Sequence, residues 1–427
     1  MDENEDRLDA VIAVPPDRKT KENFDRDIKL DLSNQDKEYE QKMFPVNIVF
    51  DSNALMKWQF GYMMHYSGQN EAVKLLEDFQ REVITTIISY KLPVITLSKE
   101  TPREAVCKVF ENVNTGGVPL TVFELVTATY ATREFNLRDD WKVCKKQIRG
   151  IDDTLRTDLL DGIDETTFLT AVALYTSYVD KQAGKIGAVS CKKKDVLNLT
   201  FESYVANRDQ VLLGFRIARD FLLKYQYVFR QRDLPYTTQL IPLAAICAFL
   251  GKSKCNEANT IAILSRWYWC GILGEMYGGA NETRYANDIE DVVDEVLQKP
   301  SQSRTVNSAF FSATRLLTLR TRLSAAYKGI MALLYKAKCR DFMNDTTIDI
   351  VNSMLEAPDI HHIFPEAYCE KMGIKQQRYN SIVNKTPILP ATNRSIGGNA
   401  PSEYIKIILK KVNNLTEEEL KARIESH

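Results

Sequence analysis

The chain lacks the usual features of a membrane, secreted or zinc-stabilised protein. Its longest near-continuous apolar run, residues 240–251, covers 12 residues, whereas a helix that spans a membrane needs ~18. The run therefore predicts a buried helix. Residues 1–10 hold five acids and no apolar segment, so we expect no secretory signal. The eight cysteines form no CxxC pair and no Cys/His pair at zinc spacing, which predicts reduced thiols in a cytoplasmic protein.

Acidic residues are missing from one part of the chain, and their absence makes the charge distribution asymmetric. The whole chain has 56 Lys and Arg against 57 Asp and Glu, a net charge of -1. Residues 301–427 hold 18 bases and 12 acids, and residues 301–340 hold eight bases and no acid. Such a segment is typical of a surface that binds a polyanion. On charge alone, a solvated helix face explains it equally well.

The hydrophobic periodicity indicates a mainly helical protein of the α+β class. Apolar residues recur at three- and four-residue steps over 72–87, and a short apolar run at 93–97 predicts a strand. Thr121 and Glu124 form the T-x-x-E capping box that starts a helix. Most of the stretch 150–295 predicts further helices joined by short loops.

Shifts in composition divide the chain into three predicted regions. Residues 1–45 are acidic and polar, and we interpret them as an exposed arm or as the remnant of a truncated N-terminal domain. Residues 46–299 are predicted to form a helical domain. The composition changes from acidic to basic near Lys299, so a C-terminal domain is expected at 300–427, with a helix over 323–337.

The most informative segment contains two adjacent histidines, in a chain that has only four. His361 and His362 precede Ile-Phe-Pro365, and neutral imidazoles can accept a proton or bind a metal. Downstream, Asn384 opens the segment Asn-Lys-Thr-Pro-Ile-Leu, and Asn393 follows nine residues after it. The combination of these residue types in this order points to a chemical site.

This order and spacing resemble the HNH nuclease motif, a β-hairpin followed by a helix around one divalent ion. We expect the first strand over 360–364, the second over 385–389 and the helix from Ala391 onward. Phosphodiester hydrolysis needs a base that activates water and a cation that neutralises the phosphate and the leaving oxygen. One Mg²⁺ or Mn²⁺ held by a few protein ligands would supply that cation.

The HNH resemblance implies a role for each of four residues. His362 would be the general base, and Asn384 would brace the hairpin behind it. His361 and Asn393 would be the metal ligands. His361 stands where the motif more commonly has Asp, which leaves open whether Mg²⁺, Mn²⁺ or a softer ion is preferred.

Each of these four residues also has an ordinary structural explanation. The histidines can be half-buried residues bonded to backbone, and the asparagines can be turn formers. Neighbouring side chains of a regular strand point to opposite faces. Both histidines therefore reach one site only if the strand end twists, and otherwise one of them is structural.

Further segments resemble the modification-dependent restriction endonucleases of the GmrSD type. They are Thr321-Arg-Leu-Ser-Ala325, Thr392-Asn-Arg394, Pro401-Ser-Glu-Tyr404 and, in the N-terminal half, Val109-Phe-Glu-Asn-Val-Asn114. The resemblance covers most of the chain from about residue 40. It implies an HNH nuclease domain at 300–427 and a nucleotide-dependent sensor domain at 46–299, in a phage-defence protein that cuts foreign or modified DNA.

One motif of that family does not occur in the chain. The family's N-terminal domain normally opens with Asp-Gly-Gln-Gln-Arg, which serves nucleotide binding and hydrolysis. The remaining candidate for a phosphate loop is Asn114-Thr115-Gly116-Gly117, although glycines after a helix more often form a C-cap. The sensor domain is therefore predicted to be incomplete, which argues against a nucleoside triphosphate cofactor.

The sequence thus predicts a metal-dependent HNH endonuclease that acts on DNA in restriction. Contacts with DNA are expected from five basic residues: Arg320, Arg322, Lys328, Lys385 and Arg394. Two alternatives stay open: an inactive DNA-binding or regulatory remnant, and an HNH nuclease that acts on RNA. Metal-dependent nicking that disappears in His362→Ala would exclude the first, and digestion of duplex DNA beside structured RNA would decide the second. No membrane partner is expected, and homo-oligomer formation is left open.

We expect this chain by itself to hydrolyse no nucleoside triphosphate. A cradle of backbone N–H groups without a cationic partner must offset several negative charges and binds triphosphate poorly. Phosphate release measured with GTP, ATP, UTP and CTP should stay at background, and any DNA cleavage should be indifferent to each nucleotide. Hydrolysis that is lost on changing Asn114 would instead identify a working nucleotide loop.

Overall fold

The computed structural model describes residues 19–22, 27–92, 121–149, 157–347 and 357–427, and residues 94, 96, 98, 101 and 109. The chain divides into two compact units between Ser98 and Lys99. The candidate loop Asn114–Gly117 lies outside the described residues. Of the predicted strand at 93–97, Val94 and Thr96 are described and lie in no strand. The predicted region boundaries near residues 45 and 299 stay predictions.

The first unit combines a small hairpin with short helices. Its elements are β1 (Lys19–Glu22), β2 (Asp27–Asp31), α1 (Gln35–Glu40), α2 (Ser52–His65), α3 (Asn70–Phe79) and α4 (Thr85–Ser89). The two strands are antiparallel. Tyr39 and Trp58 pack edge to face with ring centroids 5.2 Å apart, and the Trp58 indole donates a 2.8 Å hydrogen bond to Glu38. Part of the predicted acidic arm is therefore folded into this unit.

The first half of the second unit is a bundle of helices, which confirms the predicted fold class. The helices are α5 (Val122–Ala131), α6 (Leu137–Arg149), α7 (Glu165–Gln182), α8 (Lys193–Leu197), α9 (Phe201–Phe221), α10 (Leu240–Cys255), α11 (Ala258–Leu273) and α12 (Glu282–Val296). The predicted capping box is present at the start of α5. The Thr121 hydroxyl accepts from the Glu124 N–H, and the Glu124 carboxylate accepts from the Thr121 N–H at 2.7 Å.

Helices α9 and α10 pack closely at the centre of this bundle. Gly214 makes the approach possible, because a Cβ there would lie 2.2 Å from the Ala244 carbonyl oxygen. The apolar residues of α10 from Leu240 onward are buried, as predicted, and none of the helices described could span a membrane. The seven cysteines in the described ranges are free thiols, as expected.

The second half of this unit carries the predicted hairpin and helix. The elements are α13 (Arg304–Ser308), α14 (Ala325–Lys336), β3 (Asp359–His362), α15 (Glu366–Lys371), α16 (Gln376–Tyr379), β4 (Lys385–Ile388), α17 (Pro390–Ile396), α18 (Pro401–Lys411) and α19 (Glu417–Glu425). Strands β3 and β4 are antiparallel, with His361 opposite Thr386 and His362 opposite Lys385. Helix α17 follows β4 directly, so the expected strand–strand–helix order is confirmed.

Buried contacts fix α17 against the hairpin. Ile388 and Ile396 lie in one apolar cluster with Tyr404 and Ile408. The Asp341 carboxylate accepts from the N–H of Leu389 at 2.9 Å and from the hydroxyl of Thr392 at 2.7 Å. These contacts determine where the first turn of α17, and with it Asn393, lies relative to β3.

Candidate active site

A chain of hydrogen bonds connects strand β3 to helix α17. Asn393 Oδ1 lies 2.8 Å from His361 Nδ1, and Asn393 Nδ2 donates to Asp359 Oδ2 at 3.0 Å. Asp359 and His361 are two residues apart on β3, so their side chains share one face of the strand. The two predicted metal ligands, His361 and Asn393, are thus in direct contact.

The Asp359 carboxylate determines how the other two side chains are arranged. A carboxylate only accepts hydrogen bonds, so Asn393 must turn its NH₂ group to Asp359 and its oxygen to His361. His361 then carries its proton on Nδ1 and a lone pair on Nε2. The Nε2 atom is buried and has no hydrogen-bond partner within the described ranges. An acceptor buried without a partner is costly.

His362, the predicted general base, lies half-buried beside Asn380 and Tyr379. Its Nε2 atom is 3.3 Å from Asn380 Oδ1, and its ring stands edge-on to Tyr379 at 6.1 Å. Burial lowers the pKa of His362, and the Asn380 contact opposes this while the cationic Lys385 adds to it. A neutral ring that donates from Nε2 to Asn380 keeps the lone pair of Nδ1 for accepting a proton.

Both histidines line the same cavity, although they are neighbours on one strand. The cavity has a volume of about 400 Å³, and its other walls include Asn393, Glu366 and the backbone of α17 at Gly397. The strand ends at His362, so the pair lies where the regular alternation of the strand stops. Both histidines therefore border one cavity, and the shared site stays a prediction.

Asn384 holds together the two ends of the segment that connects the strands. Its Oδ1 accepts from the Phe364 N–H at 2.8 Å, and its Nδ2 donates to the carbonyls of Phe364 at 3.0 Å and Tyr379 at 2.8 Å. These bonds hold the backbone just after His362 and just before Lys385. The position suits the bracing role that the sequence suggested for Asn384.

The donor set fits a weakly held divalent cation rather than a preformed metal centre. No group of three or more His, Cys, Asp or Glu side chains that could hold a metal occurs in the described part of the chain. Burial lowers the pKa of His361 and so favours the neutral ring that a metal requires. His361 Nδ1 and Asn393 Oδ1, 2.8 Å apart, would face one ion together when the ring carries its proton on Nε2. The remaining positions of the ion are then left to water and phosphate, as Mg²⁺ commonly has them.

The five predicted DNA contacts are placed in different surroundings. Arg320, Arg322 and Arg394 are exposed. Lys328 is half-buried and donates to the Leu234 carbonyl at 3.0 Å. Lys385 is buried, donates to the Arg320 carbonyl at 2.9 Å and lies over the Tyr327 ring. Burial lowers the pKa of both lysines.

Three other bases of the segment 301–340 are paired with acids. Arg304 binds Asp291 through several hydrogen bonds, Arg315 makes a two-pronged ion pair with Glu275, and Arg340 lies 3.1 Å from Asp345. The basic side chains of this segment that are exposed and outside these ion pairs are Arg320, Arg322 and Lys338. The positive surface is therefore narrower than the count of eight bases suggests.

Two polar residues of the site carried no role in the sequence interpretation. They are Asp359 and Asn380. The signal for Asp359 is its spacing, because a residue two positions before His361 on a strand must share its face. For Asn380 no such local signal exists, since its contact with His362 depends on the path of the chain between the strands.

Comparisons with known proteins agree with the resemblance in the N-terminal region. Residues 5–131 match the family model of the GmrSD restriction endonuclease N-terminal domain. An uncharacterized protein of Methanocaldococcus jannaschii, MJ0686, is 24% identical over 435 aligned positions, which cover 97% of this chain and 68% of that protein. The family match is therefore to the N-terminal part of the chain, where it agrees with the resemblance to GmrSD-type restriction endonucleases.

Proposed function

We propose that the chain is a metal-dependent endonuclease of the HNH type that cuts foreign or modified DNA. The observation that carries the proposal is the meeting of His361, His362 and Asn393 at one cavity, on a hairpin followed by a helix. Phosphodiester hydrolysis requires a proton acceptor and side chains that bind the metal. The N-terminal family match supports the same class of enzyme from an independent part of the chain.

His362 would act as the general base in this reaction. Its Nε2–H, held by Asn380, orients the ring, and Nδ1 removes a proton from the water that attacks phosphorus. Positive charge then develops on the ring. The Asn380 amide oxygen stabilises that charge, because it accepts from the ring at 3.3 Å.

His361 and Asn393 would hold the cation and thereby position the phosphate beside His362. A bound Mg²⁺ or Mn²⁺ would neutralise the negative charge that accumulates on the phosphate and the leaving oxygen. Asp359 would act as a positioning residue, because its carboxylate turns the Asn393 oxygen toward His361. A ligand pair that is already oriented loses little freedom when the cation binds.

Nicking of a supercoiled plasmid tests the proposed function directly. Purified protein should nick DNA with Mg²⁺ or Mn²⁺ and should be inactive with a chelator. A parallel digestion of structured RNA of equal concentration identifies the substrate, and RNA cleaved faster than DNA would replace the DNA assignment. Cleavage that persists in the chelator would remove the metal from the proposal.

The exposed arginines near the hairpin should contribute to DNA affinity in a salt-dependent way. Each phosphate that a protein neutralises adds about one unit to the slope of log affinity against log salt. Arg320→Ala combined with Arg322→Ala should therefore flatten the slope by about two units, measured by fluorescence anisotropy with a labelled duplex.

Arg315→Ala is the matched control for this measurement. It removes an arginine from the same segment, but one that is already paired with Glu275, so the slope should not fall by a comparable amount. A slope unaltered in the double variant would return the segment to an ordinary solvated surface.

A further inference from the structure

A second cavity adjoins strand β3 beside the candidate active site. It has a volume of about 350 Å³, and Ile360 forms part of its wall as well as part of the wall of the cavity around His361 and His362. The opposite walls come from the segment 227–233 and from helix α14. A ligand here would lie beside Asp359 and Ile360, which directly precede the two histidines in the strand.

The lining of this cavity combines aromatic rings with positive charge. Four of its side chains are cationic: Arg230, Arg232, Arg322 and Lys328. Its two acidic residues are Asp233 and Asp359, so the bases are in excess. Four aromatic rings complete the wall: Tyr227, Phe229, Tyr327 and Tyr335. Rings that accept a planar group and cations that accept a phosphate are the two features that nucleotide-binding sites share.

Tyr327 is a polar side chain of the cavity that a ligand could contact. Its ring is almost fully buried, and its hydroxyl makes no well-aligned hydrogen bond among the residues that the structure describes, with the Arg322 guanidinium as its polar neighbour. The Arg322 guanidinium is a charged neighbour of this hydroxyl and limits the rise in the pKa of Tyr327 that burial causes. A buried hydroxyl without a partner costs stability, so a ligand group that bonded to it would remove that cost.

We propose that this cavity binds one nucleotide of the DNA strand, with the base against the aromatic wall and the phosphate on Lys328 and Arg322. The inference rests on the proposed endonuclease function, because it makes the cavity a subsite next to the cut. Its size suits one nucleotide, since small-ligand sites begin at about 300 Å³. A base must leave the helical stack to enter such a site, and an unpaired base does so at the lowest cost.

The test compares a duplex that has one unpaired nucleotide with the same duplex fully paired. The wild-type chain should bind the first more tightly, and deoxynucleoside 5′-monophosphates should compete for that preference better than inorganic phosphate or deoxynucleosides do. In Lys328→Gln the preference should fall by about tenfold or more, because a hydrogen bond to a charged group is lost.

Lys336→Gln is a closely matched control for Lys328→Gln. Both lysines lie half-buried on helix α14, both donate to an oxygen of the bundle, and burial lowers the pKa of both. Only Lys328 lines the cavity. The preference for the unpaired nucleotide should therefore survive in Lys336→Gln, whatever either change does to stability.

Tyr327→Phe provides a second test that separates binding from folding. The substitution keeps the ring and removes only a hydroxyl that makes no well-aligned hydrogen bond within the described part of the chain. The melting temperature should not fall, whereas the preference for the unpaired nucleotide should fall severalfold. A purely structural tyrosine would give no loss of preference.

Three outcomes would contradict the proposal that the cavity binds a nucleotide. The first is an equal preference for the unpaired nucleotide in Lys328→Gln and Lys336→Gln. The second is a wild-type chain that binds both duplexes equally well. The third is the binding of nucleoside triphosphates without competition with DNA. Failure of the proposed function looks different. If the protein prefers the unpaired nucleotide but never nicks DNA, only the proposed endonuclease function is rejected. If it nicks DNA without this preference, only the proposed nucleotide site is rejected.

Discussion

His362→Ala is expected to reduce the rate of DNA nicking by a factor of ~10²–10⁴, the usual cost of losing a general base. The alanine removes the imidazole whose Nδ1 would take the proton from water. The site around it should persist, because Asn384 and not His362 ties the strands together. Single-turnover nicking at saturating metal measures the change without interference from DNA affinity.

His65→Ala is the control for this substitution. His65 is a partly buried histidine of helix α2 in the first unit, near Asp36, and lies in a different unit from the candidate site. DNA binding by His362→Ala should equal that of the wild type. Unchanged cleavage by His362→Ala would show that His362 is not the base. If His362 is the base, imidazole added to the buffer should restore part of the activity of His362→Ala.

Asn393→Ala is expected to weaken metal binding by a factor of ~10–100, the range that loss of an orienting or ligating neighbour typically causes. The variant removes one proposed ligand and also the contact with Nδ1 that orients the His361 ring. Activity should fall at low Mg²⁺ and recover in part at high Mg²⁺ or Mn²⁺. Titration with Mn²⁺, followed by its paramagnetic signal, gives the affinity without reference to activity.

Two further variants sharpen the metal test. Asp359→Asn keeps the size of the side chain but lets an amide face Asn393, so the orientation of the Asn393 oxygen is no longer fixed, and metal affinity should again fall. Asn399→Ala removes an exposed asparagine whose amide donates to the Ile396 carbonyl and should leave metal binding unchanged. If Asn393→Ala behaves like Asn399→Ala, Asn393 is structural.

The elements around the site could be predicted because local signals determine them. Strands predicted at 360–364 and 385–389 occur at Asp359–His362 and Lys385–Ile388, and the helix expected from Ala391 begins at Pro390. Apolar residues and prolines at these positions favour extended segments and a helix start regardless of the rest of the chain. The same holds for the capping box at Thr121.

The partners of individual side chains could not be predicted, because they depend on distant parts of the chain. Lys385 looked like a phosphate contact, yet its ammonium group reaches the carbonyl of Arg320, 65 positions away. Arg315 pairs with Glu275 on the preceding helical bundle. A long flexible side chain takes the direction that its tertiary neighbours offer. A count of bases therefore overstates the charge that is left for DNA.

The three hydrogen bonds of Asn384 separate the geometry of the two strands from the segment that joins them. Residues 365–383 connect β3 to β4 and contain α15, a turn at Gly373 and α16. The hydrogen bonds of Asn384 to Phe364 and Tyr379 form a clasp that holds the two ends of this segment together. Because the clasp holds Phe364 and Tyr379 to Asn384, residues between α15 and α16 can be added or removed without shifting the register of His361 and His362. The length of this segment is therefore uncoupled from the placement of the two histidines.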